Sequence, residues 1–92
     1  MKIILSEPEL SFLYRSTDFF LKRPEVKRAP FFLDLLTIHG RAIHAMAETP
    51  YTLELDLEQW QVVIELLALT ENGTPDYCDY AAFSAKIKEA LA

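Results

Sequence analysis

A predominantly α-helical α+β domain, four helices with a short two-stranded β-ribbon, is the fold class this sequence predicts, and three observations predict it. Two stretches carry a complete helix-starting signature, each directly after a short strand-like segment: Leu5-Ser6 with Glu9, and Leu55-Asp56 with Gln59. Leu57 to Leu69, LEQWQVVIELLAL, is apolar over most of a helical circumference and therefore demands cover on more than one side. Two further stretches repeat apolar residues at helical spacing. With 92 residues, the chain is read as one domain spanning 1–92.

Lys2 to Leu5 reads as the first strand, with β-branched Ile3 and Ile4 ahead of a polar stop. Ser6 as N-cap, Pro8 in the first turn and Glu9 closing the capping box start a helix running to about Lys22. Leu10, Leu13, Tyr14, Thr17, Phe20 and Leu21 line its inner face, while Phe12 and Phe19 lie off that face. Residues 22–30, KRPEVKRAP, break the helix with two prolines and carry four of the nine basic groups.

Pro30 suits the first turn of a second helix, about Phe31 to Ala47, whose stripe is Phe32, Leu35, Leu36, His39, Ile43 and Met46. Gly40 falls beside that stripe and marks either a close helix crossing or a break at His39-Gly40. Tyr51 to Leu55 alternates as a second strand. In the next helix Trp60, Val63, Ile64 and Leu67 form one stripe, and Val62, Leu66 and Leu69 a second. Asn72-Gly73 and Pro75 end it, and about Asp79 to Leu91 forms the last helix, with Tyr80, Phe83, Ile87 and Leu91 inward. At an offset of fifty residues the two halves share a plan, a possible β-α-α-β-α-α pseudo-repeat.

Fourteen acids against nine bases leave a net charge of −5, which disfavours generic binding to nucleic acid or anionic membrane. The single cysteine, Cys78, excludes an intrachain disulfide framework and fits a reducing compartment. The opening residues MKIILSEPEL are too short for a signal-peptide core, and no apolar run reaches the length of a membrane span, so the expected location is cytoplasmic. Asn72-Gly73-Thr74 is read as a helix-ending turn, not a glycosylation acceptor.

The chemistry-bearing residues are sparse. His39 and His44, five apart on a helix, point about 140° away from each other and do not form a chelating pair. Glu54, Asp56 and Glu58 lack the central glycine of a calcium loop, and two glycines leave no room for a phosphate-cradling loop. No G-x-S-x-G elbow is present and Cys78 has no neighbouring base in sequence. The expectation is therefore a protein without catalytic, cofactor or metal residues.

What remains is surface. Phe12, Phe19, Val62, Leu66 and Leu69 are the candidate protein interface, since two helices carry more apolar residues than one core face holds. Lys22, Arg23, Lys27 and Arg28 are the candidate anion or nucleic-acid contact. The expected function is a non-catalytic interaction or regulatory module, a homodimer or a binder of another protein. One alternative is an acidic inhibitor or antitoxin-like protein that masks a basic surface with Glu54, Glu58, Glu65, Glu71 and Asp76; another is a weak nucleic-acid binder through 22–28.

Overall fold

The computed structural model describes residues 1–70 and 78–92. In chain order it consists of β1 (Lys2–Leu5), α1 (Glu7–Leu21), a 3-10 helix (Pro24–Arg28), α2 (Phe32–Ala45), β2 (Tyr51–Glu54), α3 (Leu57–Thr70) and α4 (Tyr80–Leu91). The predominantly helical α+β class is thus the observed one. The expected turn at Asn72, Gly73 and Pro75 lies outside the described residues.

The two strands pair antiparallel, with Lys2 opposite Glu54, Ile3 opposite Leu53, Ile4 opposite Thr52 and Leu5 opposite Tyr51. The ladder continues for one more pair: Leu55 N donates to Met1 O at 3.1 Å and Met1 N donates to Leu55 O at 2.7 Å. Ile3, Leu5, Leu53 and Leu55 turn their side chains into the core, so the ribbon is a half-buried layer under the helices. The indole Nε1 of the fully buried Trp60 donates to Met1 O, tying α3 to the start of β1.

Each strand feeds a capped helix. Ser6 Oγ accepts from Glu9 N while Glu9 Oε1 accepts from Ser6 N at 2.8 Å; Asp56 Oδ1 accepts from Gln59 N at 2.8 Å while Gln59 Oε1 accepts from Asp56 N at 3.0 Å. Both box-closing side chains are buried. Gln59 is neutral, whereas Glu9 brings a charge inward and needs a cation, which Lys86 of α4 supplies at 2.6 Å. The pairing is centred on Ile3 and Leu53, residues fifty apart, so strand, cap and first turn agree between the halves. That agreement is local and does not establish a repeat.

A two-stranded ribbon has two open edges. Because Met1 and Leu55 exchange both bonds, alternation places the backbone groups of Lys2, Ile4, Thr52 and Glu54 on the outer edges. Long cations occupy one carbonyl on each: Lys86 Nζ donates to Ile4 O at 3.3 Å, and Arg41 Nη1 donates to Glu54 O at 2.7 Å. Charged side chains on an edge are a recognised obstacle to strand addition.

Around the ribbon, α1 packs on α2, and α3 packs on both α2 and α4. The main core joins Leu10, Phe12, Leu13, Ile38, Ala42, Trp60, Val63, Leu67, Phe83 and Ile87 with the inward strand residues. A smaller cluster, Val26, Leu35 and Leu66, anchors the 3-10 helix, so the expected linker is folded onto the core at Val26.

Three expected faces are corrected here. Phe12 is core, 1% exposed, with ring centroids 5.1 Å from Tyr80 and 6.4 Å from Phe83; α1 is sandwiched, so a residue off one inner face enters another. Leu66 is likewise buried, 5% exposed, in the smaller cluster. Helix α2 runs unbroken through Gly40, but it buries Leu35, Ile38 and Ala42, while Leu36, Ile43 and Met46 of the expected stripe are exposed. The helix carries apolar residues on two faces, and packing selects the one rotated away from the expected stripe.

Truncating a core aromatic removes both transfer energy and packing, so Phe12→Ala should cost about 3–5 kcal/mol. Phe19→Ala, at a surface site, should cost less than about 1 kcal/mol. Urea unfolding of the two variants checks this; equal losses would refute the placement of the two rings.

Candidate interaction surfaces

Helix α2 presents the largest run of unburied apolar side chains. Leu33 is 72% exposed, Leu36 44% and Ile43 48%, and their 33, 36, 43 spacing, with Gly40 between, is that of one helical face. Single exposed leucines are ordinary, but an aligned stripe is a contact surface in waiting. Gly40 sits in its middle with an ordinary negative φ, and a Cβ built there meets no atom within 4 Å. Among the described residues no helix crosses closely at Gly40.

The neighbouring rim of this face is fixed by α1. The ring of Tyr14 stacks on His39 with centroids 5.1 Å apart and planes 20° from parallel. The Thr17 hydroxyl lies 2.6 Å from Leu13 O, 3.2 Å from Tyr14 O and 2.9 Å from His39 Nδ1, so it joins the α1 backbone to the imidazole on α2. His39 thus links α1 to α2. Tyr14 and Met46, each partly open to solvent, extend the apolar surface beyond the stripe itself.

The five expected interface residues do not come together. Phe12 and Leu66 are interior, Val62 is half-buried against both core clusters, and only Phe19 and Leu69 are exposed, on different helices. Phe19 is occupied from two sides: Phe20 meets it edge-on, and the Arg23 guanidinium lies 4.4 Å from its centroid. Such a cation–π contact contributes about 0.5–1 kcal/mol at an exposed site.

The basic residues divide in the same way. Lys22 pairs with Asp18 at 3.0 Å one helical turn back, and Arg23 lies over Phe19 and 3.9 Å from Glu25. Lys27 and Arg28 are exposed and form no ion pair among the described residues. Charge is nonetheless segregated: residues 15–28 hold five bases and two acids, leaving four bases and twelve acids elsewhere. Glu54, Glu58 and Glu65 of the expected acidic face are exposed; Glu71 and Asp76 lie outside the described residues.

Among the described residues no three His, Cys, Asp or Glu side chains converge as a metal site. His44 is exposed near the end of α2, beside a shallow concavity shared with Arg41, Ala45 and Thr52 to Glu54. Among the described residues no helix is long and apolar enough to cross a membrane.

No protein-family model matches the chain, and neither the curated proteins nor the solved structures hold one that is significantly similar to it.

The residues that sequence reasoning missed as surface are Leu33, Leu36, Gly40 and Ile43. The signal was present in their spacing, but Leu36 and Ile43 also fit the inner stripe, and nothing local separates the two faces of a doubly apolar helix. Because Gly40 has free space beside it, Gly40→Ala should raise the stability of the single chain by about 0.5–1 kcal/mol through the lost glycine entropy. Chemical unfolding at low protein concentration measures this, and a loss of stability would show that the space is not free.

Proposed function

We propose that this protein is a small interaction module, without catalysis of its own, that works in the cytoplasm by association through the outer face of α2. The observation that carries the reading is the aligned exposure of Leu33, Leu36 and Ile43 around an unobstructed Gly40. Burying side chains of this size offers about 1.5–3 kcal/mol each, enough for a few of them to drive association. None of the three belongs to either core cluster.

A second reading has its own support. The concentration of acids outside residues 15–28, with Glu54, Glu58 and Glu65 exposed, suits a protein that covers a basic partner surface. The two readings differ in salt dependence. Apolar association persists as ionic strength rises, whereas acid–base association loosens.

Molar mass by light scattering across a concentration series, at low and high salt, distinguishes them. For the first reading the parent should assemble at both salt levels. The double variant Leu36→Glu/Ile43→Glu should remain monomeric while unfolding within about 1 kcal/mol of the parent, as expected for exposed positions. Assembly untouched by the two glutamates would remove α2 from the reading, and assembly seen only at low salt would favour the acidic one.

A further inference from the structure

We infer that the 3-10 helix and the end of α1 form a docking surface for an acidic segment of another protein, whose carboxylates Lys27 and Arg28 receive. The surface does not rest on reading α2 as a contact face. Residues 15–28 carry five bases against two acids, a net charge of +3, while the rest of the chain carries four bases against twelve acids, a net −8. Crowded like charges repel, so each cation calls for a reason. Folding supplies one for Lys22, which pairs with Asp18 at 3.0 Å, and for Arg23, which lies over the Phe19 ring and 3.9 Å from Glu25. Lys27 and Arg28 have none of this kind: both are exposed, and neither forms an ion pair among the described residues.

The backbone beneath these two cations is fixed. A 3-10 helix has three residues per turn, so with Val26 packed inward on Leu35 and Leu66, Lys27 and Arg28 project from either side of the outer surface. Val26 N donates to Arg23 O at 3.2 Å and Ala29 N to Val26 O at 2.9 Å, and Pro24 and Pro30 restrict the chain at both ends. Binding therefore orders side chains and not the loop itself, which lowers its entropic cost. Phe31, 41% exposed, follows directly and adds an apolar contact.

The number of uncompensated cations selects the occupant. Binders of polynucleotides make roughly six to ten phosphate contacts, and anionic lipid is held by clusters of about four to eight bases. Two are too few for either, and the Asp18 and Glu25 carboxylates interrupt any continuous track of phosphates. The ring of Phe19 is already met by Arg23 and Phe20, which leaves it poorly placed to stack a base. Separate carboxylates suit the surface better, since Lys22 and Arg23 already hold two from their own chain. Nor does the net charge of −5 forbid such a partner. The molecule measures 33 × 26 × 26 Å, and at physiological ionic strength charges beyond about 8 Å are largely screened.

Fluorescence anisotropy tests the assignment with three probes: a labelled peptide of Asp and Glu around a single Phe, labelled oligo-uridylate, and equimolar phosphatidylserine and phosphatidylcholine vesicles. Lys27→Gln/Arg28→Gln is compared with Lys2→Gln/Lys88→Gln, which changes the net charge equally but lies outside the surface. The parent should bind the peptide in preference to the other two probes, less tightly as salt rises. The first double variant should weaken peptide binding about tenfold or more, the second by less than about twofold, and both should melt at the parent's temperature.

Equal losses in the two double variants would show that net charge and not this surface attracts the peptide, overturning the inference. Tighter binding of oligo-uridylate would replace the acidic segment with nucleic acid, and tighter binding of the vesicles would replace it with lipid. A parent that binds none of the three at low salt would overturn the docking surface itself.

Discussion

The pairing of Lys2–Leu5 with Tyr51–Glu54 is the contact on which the rest of the molecule depends. It closes a loop of about fifty residues, an entropic cost that grows only slowly with length, and it is met by burying Ile3, Leu5, Leu53 and Leu55 together. Two strands in isolation are marginal, so ribbon and helices are interdependent. Once paired, the strands launch α1 and α3 from opposite ends through their capping boxes. The indole of Trp60 then donates to the carbonyl of Met1, just ahead of β1, tying α3 to the ribbon.

Electrostatics complete what burial begins. At the two buried box-closing positions the chain uses a neutral amide once and a carboxylate once, and only the carboxylate draws a cation inward. Lys86 thereby does two things: it compensates Glu9 and takes up a carbonyl of the β1 edge. The exposed pairs, such as Lys2 with Glu54 at 3.8 Å, are worth little by comparison, because solvent screens them.

Elements were legible in the sequence where local chemistry decides them. The capping residues Ser6, Glu9, Asp56 and Gln59 marked two helix starts, and the alternation of Tyr51 to Leu55 marked a strand. Orientation was less legible, because it depends on which neighbours arrive. Nothing near Phe12 states that α4 will cover it with Tyr80 and Phe83, and nothing near Leu36 states that Leu35 and Ile38 will win the interior. For the same reason the candidate surface shifted from α1 and α3 to α2. A wheel counts apolar faces well, but the assignment of each face to solvent or core is a property of the assembled layers.

The placement of Lys86 on the last helix has a consequence for a chain still being made. Until α4 docks, the cation that guards the β1 edge is not in place. Through that interval Glu9 has no counter-ion, Phe12 has no aromatic cover, and the Ile4 carbonyl is open to any passing strand. Arg41, already translated, guards the other edge from the start. The nascent chain is therefore lopsided in its protection, and its exposure to misassembly ends only when α4 docks.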